Sequence, residues 1–161
     1  MMKIAFLDRD GVINREMGSH VWQKERFEVL PDVIPAMRFL KTRGFELIII
    51  TNQSGIGLGL YNDGDVIQLH EWLQRSLSSE DIELLDIYFC RHHPENSNCL
   101  CRKPKGLMVE KALAKYDAKA GECIMFGDRE RDVESARVNG VRGVLLESNS
   151  SLLEAAKMVL D

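Results

Sequence analysis

Long apolar runs and a strong excess of one charge are both missing from this 161-residue chain. A bilayer-spanning helix needs about 20 mostly apolar residues, and the first residues form a short strand-like run instead of a signal-peptide layout. The net charge of −4 at pH 7 provides no general attraction for nucleic acid or anionic lipid. We therefore expect a cytoplasmic protein with no membrane or nucleic-acid partner, and we expect it to be a monomer.

Cysteine is scarce, but its placement is uneven. Cys90, Cys99 and Cys101 lie close together with His92, whereas Cys123 stands apart in an apolar run. Three thiolates and one imidazole are a usual tetrahedral zinc set that leaves no position open for water. We therefore expect a structural Zn²⁺ held by these four residues, with a metal-free loop of reduced thiols as the alternative. Cys123 is expected in the core.

Internal repeats, low-complexity tracts and interdomain linkers are absent as well, so we expect one domain over residues 1–161. Short apolar runs alternate with amphipathic segments, which is typical of an α/β fold with a doubly wound, Rossmann-like parallel sheet. The predicted strands are Ile4–Leu7, Glu46–Thr51, Asp86–Cys90, Glu122–Phe126 and Arg142–Leu146. Apolar residues at helical spacing predict helices around residues 33–43, 66–77, 109–113, 133–139 and 152–156. Residues 14–31 and 92–105 lack this periodicity and are expected to be functional loops.

Polar side chains follow the predicted strands at the point where each one ends. Asp8 and Asp10 follow the first strand, Thr51 ends the second, and Asp128 follows the fourth. The carboxyl ends of parallel strands meet at one edge of the sheet, so these groups are expected to converge. Several carboxylates in a small space require a cation. Mg²⁺ prefers such oxygen ligands and commonly shares them with a substrate phosphate.

Positive charge and donors for a phosphoryl group are offered by Arg102, Lys103 and the Thr51 hydroxyl. Together with the carboxylates, these residues resemble the motifs of the haloacid dehalogenase (HAD) superfamily of phosphatases. The matching residues are Asp8-x-Asp10-Gly11, Thr51, Lys103 and Gly127-Asp128-x-x-x-Asp132. Each motif alone is weak, but four in order over nearly the whole chain are specific.

This resemblance implies a phosphatase that works through an aspartyl-phosphate. Asp8 would attack phosphorus, and Asp10 would protonate the leaving oxygen and then activate the hydrolytic water. Mg²⁺ would be held by the carboxylates of Asp8 and Asp128 and by the backbone carbonyl of Asp10. Thr51 would bond a phosphoryl oxygen, and Lys103 would offset negative charge between nucleophile and phosphate.

The expected substrate-binding residues are Asn52, Arg102 and Arg129, and the expected substrate is a small-molecule phosphate ester. Members of the superfamily often carry a separate cap domain. The intervals between the motifs here are largely filled by predicted helices and strands, which implies a capless enzyme. Its open site would be shaped by residues 14–31 and by the zinc loop at about residues 90–101.

Several positions allow more than one interpretation. Asp132 could cap the following helix, or it could contact Lys103 or the metal. Arg129 could contact substrate phosphate or an acidic neighbour. His20 and His70 are expected at the surface or at the rim of the site.

The zinc loop resembles that of HAD subfamily IIIA, in the subgroup of heptose-bisphosphate and histidinol-phosphate phosphatases. The segment Thr51-Asn52-Gln53-Ser54-Gly55 and its continuation to Tyr61 look like the heptose enzymes. Two other features, the short zinc loop and Gly127-Asp128-Arg129, look more like the histidinol enzymes. We favour removal of the 7-phosphate of D-glycero-D-manno-heptose 1,7-bisphosphate, a surface-glycan precursor. The alternatives are a histidinol-phosphate phosphatase, a DNA 3′-phosphatase, which the acidic net charge disfavours, and a non-catalytic zinc-stabilised module.

Overall fold

The computed structural model describes residues 1–161 and contains one five-stranded parallel sheet. Its strands are β1 (Lys3–Leu7), β2 (Phe45–Asn52), β3 (Asp86–Cys90), β4 (Ile124–Gly127) and β5 (Arg142–Leu145). They lie in the order β3-β2-β1-β4-β5, which confirms the doubly wound α/β fold. The chain leaves β1 in one direction and returns to its other side through β4, so a crevice opens above the ends of β1 and β4.

Five α-helices connect or follow the strands, as the apolar spacing predicts. They are α1 (Val33–Thr42), α2 (Asp63–Ser78), α3 (Leu107–Lys115), α4 (Glu130–Arg137) and α5 (Leu152–Leu160). No helix combines the length and the apolar character needed to cross a membrane. The strand boundaries agree with the predicted ones to within one residue, except at the start of the fourth strand, where Ala120–Glu122 forms a 3-10 turn. The fourth strand therefore begins at Ile124 and not at Glu122.

The core lies on both faces of the sheet. Alternate residues of β1 and β2, such as Leu7 and Ile49, pack into the apolar cluster that contains buried residues of α1, α2 and α5. The residues between them, such as Phe6 and Ile48, pack into a second cluster with α3 and α4. Burial on both faces explains why these strands read as continuous apolar runs instead of alternating ones.

The predicted loop at residues 14–31 folds back on itself beside the crevice. Asn14 and Val29 form an isolated antiparallel bridge, and the Leu30 amide donates to the Ile13 carbonyl at 2.9 Å. Val21 and Phe27 are buried in the core. The loop is therefore anchored by its apolar residues, and residues 18–21 are left to line the crevice.

Candidate active site

A buried lysine lies at the centre of the crevice. Lys103 is 1% exposed, and its Nζ donates to Asp8 Oδ1 at 2.8 Å and to the Ile50 carbonyl at 2.8 Å. The same Nζ lies 2.7 Å from Asp132 Oδ1. These three acceptors match the three protons of an ammonium group. Lys103 is therefore fixed against Asp8, and it cannot be the solvated surface residue that its charge alone would suggest.

Asp132 combines the two roles that the sequence left open. Its Oδ2 accepts from the Arg129 amide at 3.0 Å at the start of α4, which satisfies an otherwise unpaired helix donor. Its Oδ1 contacts Lys103. The start of α4 is thus tied to the cation beside Asp8.

Asp128 faces Asp8 from the end of β4. Its Oδ2 accepts from the Ser148 hydroxyl at 2.8 Å, and its Oδ1 is buried without a hydrogen-bond partner. Gly11 makes this approach possible, because a Cβ there would lie 2.1 Å from Asp128 Oδ2, and because its φ is +89°. Any side chain at position 11 would displace the carboxylate and strain the backbone.

The charges in this cluster fit a divalent cation. Carboxylate oxygens of Asp8, Asp128 and Asp132 lie within 4.8 Å of one another. Lys103 bonds Asp8 and Asp132, and Arg129 Nε lies 4.0 Å from Asp128 Oδ2, so three carboxylates face two cations and negative charge remains in excess. The Oδ1 of Asp128 also fits a cation, because it is buried without a hydrogen-bond partner and buried polar atoms rarely lack a partner. The acidic cluster can therefore hold a metal ion.

The charges in this cluster also shift the pKa values of Asp8 and Lys103. Burial raises the pKa of Asp8 well above its usual value; Lys103 opposes this shift, and Asp132 and Asp128 add to it. Burial alone would lower the pKa of Lys103, but Asp8 and Asp132 outweigh it and the pKa is raised. Lys103 is thus held charged, while Asp8 requires further positive charge to remain ionised.

Asp10 lies beside this cluster but belongs to another network. Its Oδ1 accepts from Arg9 Nη2 at 2.9 Å and from Asn14 Nδ2 at 2.9 Å, and its Oδ2 accepts from Gln53 Nε2 at 3.1 Å. Burial alone would raise the pKa of Asp10, but the Arg9 charge and these hydrogen bonds outweigh it and the pKa is lowered. The carboxylate is therefore ionised, and it is held by donors from the turn after β1, from Asn14 and from the residue that follows β2.

Gln53 links Asp10 to the hydroxyl of Thr51. Gln53 Nε2 also donates to Thr51 Oγ1 at 3.0 Å, and Tyr61 donates its hydroxyl proton to Gln53 Oε1 at 2.9 Å. Because the ionised Asp10 carboxylate can only accept, the amide nitrogen of Gln53 must face it, and the Gln53 oxygen is left to accept from Tyr61. Tyr61 is itself stacked on Trp22, with ring centroids 5.7 Å apart. Gln53 was not singled out from the sequence.

Asn52 lies in the wall of the crevice, and its amide also bonds the backbone of Lys103. Its Oδ1 accepts from the Lys103 amide at 3.1 Å, and its Nδ2 donates to the Lys103 carbonyl at 3.2 Å. Both ends of the amide are thus bonded to the backbone of one residue. Asn52 connects the end of β2 to the segment that carries Lys103.

Polar and charged groups line a cavity of about 320 Å³ above these residues, with a single hydrophobic residue among the lining. Arg102, Arg129 and Arg131 lie in its wall, as do Glu16 and His20. Arg102 Nη1 is buried without a partner. Burial lowers the pKa of Arg102, and the charge of Arg131 acts in the same direction. Three arginines therefore lie in the wall of the cavity, and at least one guanidinium donor, Arg102 Nη1, is not used by the protein itself.

The second cluster is formed by the cysteine loop, as predicted. One potential ligand atom from each of Cys90, His92, Cys99 and Cys101 lies within 4.8 Å of the others. Cys90 Sγ is 3.7 Å from Cys99 Sγ and 3.1 Å from Cys101 Sγ, and His92 Nδ1 is 3.3 Å from Cys101 Sγ. Two sulfurs around a tetrahedral zinc are about 3.8 Å apart. The loop therefore fits a metal ion, and Cys123 is buried away from it.

One histidine prediction is wrong. His70 is 5% exposed and lies beneath the crevice, where its Nε2 contacts Arg9 Nη1 at 3.2 Å. Its position follows from spacing, because Val66, Leu69 and Leu73 on the same helix are buried as well. His20, in contrast, lies at the rim of the cavity as expected.

The chain is similar to several bacterial enzymes that are named heptose-1,7-bisphosphate 7-phosphatases. It is 39% identical over 140 residues to D-glycero-beta-D-manno-heptose-1,7-bisphosphate 7-phosphatase of Haemophilus influenzae, covering 84% of this chain and 76% of the relative. It is 42% identical over 151 residues to the enzyme of the same name from Helicobacter pylori, covering 93% and 86%. A relative from Photorhabdus laumondii, 36% identical over 146 residues and covering 87% and 79%, is named for the alpha anomer.

A solved structure gives the same result. The D,D-heptose 1,7-bisphosphate phosphatase from B. bronchiseptica, complexed with magnesium and phosphate, is 25% identical with a TM-score of 0.82, covering 99% of this chain and 98% of that one. The family model of haloacid dehalogenase-like hydrolases matches residues 2–140. The predictions of a HAD fold and of a phosphatase are thus confirmed. This chain belongs to the haloacid dehalogenase-like hydrolases.

Proposed function

We propose that this chain removes the 7-phosphate from D-glycero-D-manno-heptose 1,7-bisphosphate with the help of Mg²⁺. The observation that carries the proposal is the contact between Asp8 and buried Lys103, opposite Asp128, at the point where the strand order reverses. The names of the relatives supply the substrate. We further propose that residues 1–161 act as one capless domain.

Asp8 is the proposed nucleophile. Its Oδ1 is bonded to Lys103, so the other oxygen would attack phosphorus while the bond from phosphorus to the sugar oxygen breaks. Asp10 is ionised in the free enzyme, so it would take up a proton from solvent as the negatively charged phosphate binds beside it, and it would give this proton to the leaving oxygen. Water would then attack the phosphorus of the aspartyl-phosphate, Asp10 would take the proton back, and inorganic phosphate would leave.

Mg²⁺, held by the carboxylates of Asp8 and Asp128 and by the Asp10 carbonyl, would offset negative charge on the phosphoryl oxygens. This assignment is supported by the excess of carboxylates over cations in the cluster and by the unpartnered oxygen of Asp128. Lys103 would add a second fixed cation, and the Thr51 hydroxyl would donate to a phosphoryl oxygen.

The arginine-rich part of the cavity favours a bisphosphate over histidinol phosphate. Arg102, Arg129 and Arg131 lie in the wall of the cavity that also contains Asp8. Guanidinium groups suit a second phosphate. Histidinol phosphate instead carries an ammonium group at its other end, which these arginines would repel. We propose that Arg102 and Arg129 contact substrate, as the resemblance implies.

We propose Zn²⁺ for the cysteine loop, in a structural role. Three sulfurs and one imidazole nitrogen complete a tetrahedral site, so no ligand position remains for substrate or water. Cys101 lies two residues before Lys103, so the ion would fix the segment that carries the active-site cation.

Phosphate release tests the proposal. Both C1 anomers of heptose 1,7-bisphosphate and, beside them, histidinol phosphate would be assayed with Mg²⁺, with Asp8→Asn as the inactive control. One heptose anomer should exceed histidinol phosphate at least a hundredfold in kcat/KM, which corresponds to about 2.7 kcal/mol. A higher kcat/KM for histidinol phosphate would refute the proposed substrate. Release equal to that of Asp8→Asn for all three would refute the activity.

A further inference from the structure

Arg9 is the largest side chain that the protein buries completely, at 0% exposure. It lies between Asp8 and Asp10 of the first motif, and the proposed mechanism assigns it no role. Its charge is met by a single carboxylate, that of Asp10, 2.9 Å from Nη2. Burying an arginine is costly unless its charge is paired and its donors are bonded. The two Nη atoms of Arg9 are bonded, whereas its Nε is buried without a hydrogen-bond partner.

The same nitrogen of Arg9 has a second acceptor. Nη2 also donates to the Val21 carbonyl at 2.6 Å, and residues 18–21 line the cavity. One guanidinium nitrogen therefore joins the carboxylate of Asp10 to the loop that borders the substrate space. Movement of that loop would be transmitted directly to the carboxylate.

His70 fixes the opposite edge of the guanidinium. Arginine can only donate, so His70 Nε2 must accept the proton from Arg9 Nη1, 3.2 Å away. Phe27 lies against the guanidinium at 5.6 Å from its ring centroid, and Phe89 packs edge-on against His70 with centroids 5.9 Å apart. The guanidinium is thus held by Asp10, by Val21 and Phe27 of the 14–31 loop and by His70 of α2, and His70 is in turn packed against β3.

We propose that Arg9 is the positioning residue for Asp10, which it orients toward the leaving oxygen through a contact shared with the substrate-facing loop. This inference rests on the proposed function, in which Asp10 protonates that oxygen. Proton transfer requires a donor within hydrogen-bond reach of the atom that accepts the proton. Asn14 and Gln53 also bond Asp10, but neither connects it to the loop at Val21.

The test uses two phosphate esters, of which only one has a leaving group that must be protonated by an acid. The sugar alkoxide of heptose 1,7-bisphosphate is a poor leaving group that requires a proton, whereas the nitrophenolate of p-nitrophenyl phosphate leaves without one. kcat/KM covers the steps up to departure of the leaving group, so hydrolysis of the intermediate does not enter the comparison. A variant that disturbs only Asp10 should therefore affect the two esters unequally.

Arg9→Lys is the main variant, because it keeps the charge but cannot reproduce the fork that reaches Asp10, Val21 and His70 together. We expect kcat/KM for the sugar ester to fall about a hundredfold and that for p-nitrophenyl phosphate by less than about fivefold. Arg9→Met is a second variant. Arg43→Lys is the matched control, since Arg43 bonds Leu160 and Asp161 away from the site, and both values should be unchanged.

A double-mutant cycle separates positioning from a general packing defect. If Arg9 acts through Asp10, adding Arg9→Lys to Asp10→Asn should cause no further loss on the sugar ester. Equal losses on the two esters, or additive losses in the cycle, would overturn the proposal.

This experiment distinguishes a wrong substrate from a wrong role for Arg9. If the wild-type protein does not hydrolyse heptose 1,7-bisphosphate, the proposed substrate is wrong, and the comparison is made with glycerol 3-phosphate as the alkyl ester. An unequal loss on that ester would still support the role of Arg9, and an equal loss would refute it.

Discussion

Two buried cations organise the acidic side chains of the site. Lys103 contacts Asp8 and Asp132, and Arg9 contacts Asp10. The role of Lys103 could be expected from the resemblance. That of Arg9 could not, because its partner His70 is 61 positions away in the sequence. The burial of His70 did have a signal, since position 70 lies on the apolar face of α2 with Leu69 and Leu73.

Asn52 gives a prediction that separates positioning from substrate binding. Since its amide is bonded at both ends to the Lys103 backbone, Asn52→Ala should displace Lys103 and lower kcat by about 10- to 100-fold with little change in KM. Steady-state kinetics on the sugar ester measure both constants. Ser54→Ala, also in the cavity wall, is the control. A rise in KM at unchanged kcat would show that Asn52 binds substrate after all.

His70 should make folding stability depend on pH. Burial, and then the Arg9 charge, lower its pKa from 6.5 to about 3. Below pH 6.5 the unfolded chain takes up a proton that the folded chain refuses until about pH 3, so stability is lost as the pH falls through this window. From pH 6.5 to pH 5 the loss is about 2 kcal/mol.

Urea unfolding at pH 7 and pH 5 measures this loss. His70→Gln can still accept from Arg9 but does not titrate, so its free energy of unfolding should fall by about 2 kcal/mol less than that of the wild type. Replacing the exposed His20 by glutamine should leave the wild-type dependence intact. An identical pH dependence in wild type and His70→Gln would contradict the burial of a neutral His70.

At the scale of elements, the regular structure was easier to predict than the loops. β1 and β2 are buried on both faces, so their apolar runs mark them clearly. The start of β4 was misplaced because the 3-10 turn at Ala120–Glu122 precedes it and carries no apolar signal. The 14–31 loop was recognised only by its lack of periodicity, and its contact with Arg9 depends on a backbone carbonyl, which no side-chain pattern can reveal.

The cysteine loop should bind one zinc ion, and the bound ion should stabilise the fold of the protein. Cys101→Ser removes one of the proposed ligands, so the zinc content should fall and the midpoint of thermal unfolding should drop by more than about 5 °C. Metal analysis and calorimetry measure the two effects. Cys123→Ser is the matched control, because Cys123 is buried outside the cluster. A full zinc content in Cys101→Ser would show that Cys101 is not a ligand.

At the scale of the whole molecule, the strand order β3-β2-β1-β4-β5 brings together residues that are distant in sequence. Asp8 and Asp128 follow the adjacent strands β1 and β4, and Lys103 reaches them from the loop after β3. This convergence could be predicted from the general position of ligand sites in doubly wound sheets. The distribution of hydrogen bonds around Asp10 and Asn52 could not, because several acceptors lie within reach of each donor.

The central claim is that the phosphoryl group passes through Asp8, and trapping the intermediate tests it most directly. The enzyme would be quenched in acid during turnover of heptose 1,7-bisphosphate with Mg²⁺ and reduced with borohydride, which converts an aspartyl-phosphate to homoserine. Mass spectrometry of the peptide that contains Phe6–Gly11 should locate homoserine at position 8 and find none without substrate. Homoserine at another aspartate, or an unmodified Asp8 during measurable turnover, would contradict the account.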